Sequence, residues 1–121
     1  MDSLALKAFV VVAEQRSFSR AADQLFLTQP AVSKRIVKLE EQLKIRLFDR
    51  IGRTVSLTMA GQHLLPKARV ILQAMEDSAN ELTNLSGRVG GALRIATSHH
   101  ISLHRLPAPL RLFIARYPQV E

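Results

Sequence analysis

Between Ser17 and Leu43 the apolar positions of SFSRAADQLFLTQPAVSKRIVKLEEQL fall into two helical periods with a break between them. Phe18, Ala21, Ala22 and Leu25 recur at helical spacing behind Ser17, whose hydroxyl can cap a first turn by accepting from an unpaired backbone N–H. Phe26 and Leu27 break that period and predict a turn. Thr28 is the next cap, followed by Gln29 and by Pro30, whose missing N–H costs nothing in the first turn of a helix. In this second helix Val32, Ile36, Leu39 and Leu43 form one narrow apolar stripe. Turning each residue through the helical angle puts Pro30, Lys34, Val37, Lys38 and Glu41 on the opposite side and Ser33 on the flank, with Gln29 and Pro30 at the exposed tip.

The same patterning carries through the rest of the chain. Residues 4–14 read as a helix with Leu6, Phe9, Val10 and Ala13 on one face, packing behind the helix pair with Phe9 at its centre. After Leu43, the run KIRLFDRIGRTVSLT has Phe48, Ile51, Val55 and Leu57 on either side of a Gly52-Arg53 turn, which predicts a two-stranded hairpin. Thr58 caps a long helix. From Leu65 its apolar positions Ala68, Leu72, Met75, Ala79 and Leu82 alternate spacings of three and four, the period of a coiled-coil seam, widened by Leu64, Ile71 and Leu85. At a rise of ~1.5 Å per residue, residues 58–85 make a rod of about 42 Å, with a kink expected near Gln62 to Pro66. Such a stripe needs a partner, and a second copy of the chain or a further domain of the same chain would each serve. Ser86-Gly87 ends the helix, Val89-Gly90-Gly91 reads as a hinge, and ALRIAT (residues 92–97) reads as a buried strand. Leu103, Leu106, Leu110, Phe113 and Ile114 then predict a helix that stops at Tyr117-Pro118.

A short Ala-rich helix clamped behind a second helix whose tip offers an amide, a hydroxyl and an ammonium suits insertion into a DNA major groove, the helix-turn-helix arrangement. A helical hairpin with a solvated basic face has the same pattern, and geometry alone leaves both open. The particular residues go further. Ala21-Ala22, Leu25, TQPAVS at Thr28 to Ser33, Ile36, Leu39-Glu40, LFDR at Leu47 to Arg50, Leu57-Thr58 and Ala60-Gly61 together resemble the N-terminal domain of LysR-type transcriptional regulators.

The resemblance implies a mainly α chain in three parts. These are a winged helix-turn-helix domain at 1–58, a linker and dimerisation helix at 59–87, and at 88–121 the first β-α unit of a truncated α/β effector-binding domain. It implies sequence-specific binding of duplex DNA as a dimer or tetramer. Thr28, Gln29, Pro30, Ser33, Lys34, Lys38, Arg50 and Arg53 would face DNA, the two arginines from the wing, where an ordinary charged loop is the other reading. Leu64, Leu65, Ala68, Ile71, Leu72, Met75, Ala79 and Leu82 would line the dimer interface, small Ala68 and Ala79 allowing close approach. Thr97, Ser98, His99 and His100 stand where this family contacts a small-molecule effector, although a plain strand-to-helix turn with a capping serine fits equally. Relatives often carry glycine where Arg16 and Lys44 stand, since helices ending there favour a left-handed residue.

Charge agrees with that picture. The 121 residues, 47% hydrophobic, hold 17 Lys and Arg against 10 acids, a formal net charge of +7. Ten of the bases and six of the acids lie in residues 1–58, so four of the seven excess charges fall in the part of the chain that holds the helix pair. A polyanionic partner follows, and no apolar run nears the ~20 residues of a membrane span. Five Phe, one Tyr and no Trp read as core residues, which favours duplex over single-stranded nucleic acid. The N-terminus has an acid where a signal peptide has bases and lacks a cleavage site, and a cytoplasmic protein is expected.

Catalytic chemistry finds no support. There is no cysteine, and His100 and His104, though spaced i, i+4 with His99 nearby, have no acid between them and none downstream before Glu121, so no metal site or cofactor is expected. Ser98 lacks the strained Gly-x-Ser-x-Gly turn of a nucleophile. The rivals are another winged-helix DNA binder without an effector domain and a histidine-based metal enzyme.

Overall fold

Asp2 starts the first helix: its carboxylate accepts the Ala5 backbone N–H at 2.7 Å, capping α1 (Ser3–Gln15). The computed structural model describes residues 1–121 apart from 53, 86, 88–89, 97 and 99–103. They form two compact units, Met1–Ala74 and Met75–Glu121.

In the first unit α1 packs on α2 (Phe18–Leu25) and α3 (Gln29–Leu43), which pack on each other. Ala5, Leu6, Ala8, Phe9, Val10, Val11 and Val12 are all buried, a wider arc than the single face expected, and this makes α1 the central helix. Phe9 is fully buried against Phe48, ring centres 5.3 Å apart, and Phe48 meets the edge of Phe18 at 5.8 Å. Removing each such ring from water is worth ~1.5–3 kcal/mol. From α3, Val32, Ile36 and Leu39 complete the core, while Leu43 at the end of the stripe is exposed.

All three helices end in a left-handed residue that is not glycine: Arg16 (φ 52°), Phe26 (φ 55°) and Lys44 (φ 56°). After α2 the turn is a Schellman motif, with the Phe26 N–H donating to the Asp23 carbonyl and the Leu27 N–H to that of Ala22. This geometry sends Leu27 onto the core and leaves Phe26 95% exposed, so Phe26 is not the core residue its type suggested.

The hairpin forms as expected. β1 (Phe48–Ile51) pairs antiparallel with β2 (Thr54–Leu57), Phe48 opposite Leu57 and Ile51 opposite Thr54. Gly52 supplies the positive φ, 64°, that this tight connection needs. Thr58 then accepts the Gly61 N–H at 3.1 Å and donates its hydroxyl to the Arg46 carbonyl at 2.6 Å, starting α4 (Met59–Leu85) against the base of the wing. A Cβ at Gly61 would lie 2.3 Å from the Leu47 carbonyl oxygen, which is why no side chain fits there.

The seam expected on α4 is part packed and part exposed. Ala68 is fully buried in the core of the first unit, and Leu64, Leu65 and Leu72 pack against that core. Ile71, Met75, Ala79 and Leu82 are exposed. Four of the eight residues expected to line the dimer interface are thus engaged by their own chain.

In the second unit β3 (Gly90–Gly91) pairs in parallel with β4 (Gln119–Val120), and α5 (Pro107–Arg116) connects them, a right-sized βαβ beginning. Gly91 has φ 97°, and a Cβ there would meet the Asn80 side chain at 2.6 Å. Of the buried strand expected at 92–97, residues 92–96 form no strand and Thr97 lies outside the described residues. Pairing falls on Gly90–Gly91 and extends as far as a hydrogen bond from the Leu93 N–H to the Glu121 carbonyl, while Leu93 and Ile95 stay about half exposed. Leu103 of the expected helix lies outside the described residues, and α5 begins at Pro107, a residue suited to the first helical turn. No residue of α5 is buried. No helix among the described residues is long and apolar enough to cross a membrane.

Candidate nucleic-acid interface

The site is built by two caps and a core. Ser17 accepts the Arg20 N–H at 3.2 Å and starts α2; Thr28 accepts the Ala31 N–H at 3.3 Å and starts α3. Because Val32, Ile36 and Leu39 are wholly buried, the rotation of α3 is fixed, and its other side must face water. Thr28, Gln29, Pro30, Lys34, Val37, Lys38 and Glu41 are exposed there, and Ser33 is partly so. The first turn of α3 carries no acid, so its unpaired N–H groups leave the N-terminal end electropositive. The Thr28 oxygen is occupied as a cap, but its hydroxyl proton remains available to an acceptor.

Glu40, absent from the residues expected at the site, sets the wing. Its carboxylate accepts the Leu47 backbone N–H at 2.7 Å, tying the last turns of α3 to the residue before β1. The sequence signal was present in the Leu39-Glu40 pair but pointed to no role. Arg50 leaves β1 with its guanidinium carbon 4.1 Å from the centre of the Phe18 ring, a cation–π contact that anchors the wing to α2. Its charge therefore stands beside the start of α2. Arg53 lies outside the described residues. The geometry thus brings Thr28, Gln29, Pro30, Ser33, Lys34 and Lys38 together on one helix and places Arg50 on the neighbouring wing.

Of the effector candidates, Thr97, His99 and His100 lie outside the described residues, as do Ser86, Val89 and Leu103 of the hinge and helix reading; Ser98 is exposed. Among the described residues no group of three or more His, Cys, Asp or Glu could hold a metal.

A three-helix core with the third helix bared and a two-stranded wing beside it defines the winged helix-turn-helix class of DNA-binding transcriptional regulators. Residues 4–62 match the family described as bacterial regulatory helix-turn-helix protein, lysR family. Over 107 residues the chain is 61% identical to an uncharacterized HTH-type transcriptional regulator of Azotobacter vinelandii, covering 88% of this chain and 74% of that one. Among solved structures it is similar to Corynebacterium glutamicum OxyR with hydrogen peroxide bound, at a TM-score of 0.77 and 32% identity over 99% of this chain and 37% of that one. It is also similar to the DNA-binding domain of CbnR in complex with DNA, at a TM-score of 0.67 and 33% identity, covering 73% of this chain and all of that one. The chain belongs to the lysR family. It spans 38% and 39% of two further curated regulators, from Bacillus subtilis and Escherichia coli, so most of their length has no counterpart in these 121 residues.

Proposed function

We propose that this chain is the DNA-binding and dimerisation region of a cytoplasmic, non-enzymatic LysR-type regulator. In that reading residues 1–58 bind DNA, 59–87 link and pair protomers, and 88–121 begin an effector-binding domain. The carrying observation is the bared face of α3: a buried Val32, Ile36 and Leu39 fix it so that Gln29, Pro30, Ser33 and Lys34 project together. Gln29 can pair an adenine edge, Pro30 can touch a thymine methyl, and Lys34 can reach guanine acceptors. Thr28, Lys38, Arg50 and Arg53 are assigned to phosphates or the minor groove. Support for DNA comes also from the similar CbnR DNA-binding domain, solved in complex with DNA. Pairing through the exposed Ile71, Met75, Ala79 and Leu82 would set two winged domains on a two-fold symmetric site. A small-molecule effector is assigned to the domain that residues 88–121 begin, with Thr97, Ser98, His99 and His100 as its first candidates.

Selection from a random duplex pool tests this reading. Enrichment of a motif with two-fold symmetry supports it. Uniform retention of all duplexes, or preference for single strands, contradicts it.

A further inference from the structure

Among the described residues other than glycine, Arg16, Phe26 and Lys44 have positive φ, and Phe26 differs from the other two in chemistry. A charged side chain at such a turn can extend into water. A phenyl ring gains nothing there, and Phe26 is 95% exposed. Glycine or asparagine would hold the same Schellman turn with less conformational strain. A bulky residue that is both left-handed and bare is out of place on grounds of folding alone, and such positions concentrate where the chain binds something.

Its surroundings say what it could bind. Phe26 stands two residues before Thr28, the cap of α3, which at ~3.8 Å per Cα step puts it within about 7 Å of that cap. Leu27 between them turns onto the core. Phe26, Thr28, Gln29 and Pro30 are then an exposed rim at the electropositive end of α3. Anything polyanionic drawn to that end comes within reach of the ring. On duplex DNA the apolar surfaces available there are thymine methyls and deoxyribose carbons.

We propose that the Phe26 ring is a DNA contact, seated on the apolar C–H surface at the rim of the groove that α3 enters. This rests on the assignment of α3 as the helix in the major groove. Association would take the ring out of water without any change in the turn that presents it.

The test uses the whole chain and a duplex enriched from a random pool by the wild type. Phe26→Asn keeps a residue at ease in the left-handed turn. It should melt no lower than wild type, yet bind the enriched duplex about fivefold or more weakly. Replacing thymines one at a time by uracil separates the two sources: loss of one methyl that weakens wild type but not Phe26→Asn identifies the methyl, and loss confined to the protein variant identifies the sugar. A duplex carrying 5-iodouracil should crosslink to Phe26 itself, located within its peptide by fragment sequencing, which decides the matter if the variant does not fold. Wild-type affinity in Phe26→Asn, or crosslinks confined to other residues, overturns the proposal. If Gln29→Ala still weakens binding in that case, α3 keeps its role; if the wild type enriches no duplex, both readings fall.

Discussion

The Glu40 carboxylate holds the Leu47 backbone N–H at 2.7 Å, joining α3 to the wing beside it. Leu47 is 1% exposed, so its N–H is poorly placed to find another acceptor. Glu40→Ala should cost about 2 kcal/mol, the range for a hydrogen bond to a charged group with its donor left buried. Denaturant titration measures this directly, and an unchanged midpoint would remove Glu40 from the account.

The left-handed helix ends are a second source of strain. Arg16→Gly and Lys44→Gly should each raise stability by about 1 kcal/mol, since glycine adopts a positive φ without a Cβ penalty. Thermal melting of the two variants and their double is sufficient. A fall in melting temperature for both would mean that the side chains contribute more than their backbones cost.

The divided seam of α4 predicts different failures from neighbouring substitutions. Leu72 packs against the core of the first unit, whereas Met75 is 51% exposed. Leu72→Glu should lower the melting temperature of the winged domain, because it sets a charge against apolar packing. Met75→Lys should leave that melting intact and dissociate the assembly in sedimentation. Retained assembly in Met75→Lys would take the exposed half of the seam out of the dimer.

Protection against hydrogen exchange should follow burial. Val32, Ile36 and Leu39 on α3 are wholly covered, while α5 buries no residue and exposes Leu112 and Ile114. Amides of α5 should exchange orders of magnitude faster than those of α3. Comparable rates in the two helices would show that α5 has cover beyond what its own unit supplies.

Much of the winged domain was legible in the sequence because its signals are local. Ser17 and Thr28 are caps by chemistry and by position, Pro30 marks a first turn, and the Val32 to Leu39 spacing fixes which side of α3 is bare. What escaped the sequence depends on partners far along the chain. Nothing near Glu40 announces that it will hold Leu47, and the Leu65 to Leu82 spacing cannot say that Ala68 joins a core built by α1. The strand expected at 92–97 was read from its apolar run, but a strand exists only where another offers pairing, and Gly90–Gly91 had that offer. Phe26 was read as core from its residue type, yet the Schellman turn decided its direction.

If α3 reads base edges while its flank and the wing hold the backbone, substitutions on the two must change the ratio of specific to nonspecific affinity differently. Binding of Gln29→Ala and Lys38→Ala to the enriched duplex and to a scrambled one should be measured across a salt series. Gln29→Ala should lose about 1 to 3 kcal/mol on the enriched duplex and little on the scrambled one, whereas Lys38→Ala should weaken both and reduce the salt slope by about one unit. Equal loss on both duplexes for Gln29→Ala, with altered sequence preference in Lys38→Ala, would contradict the account.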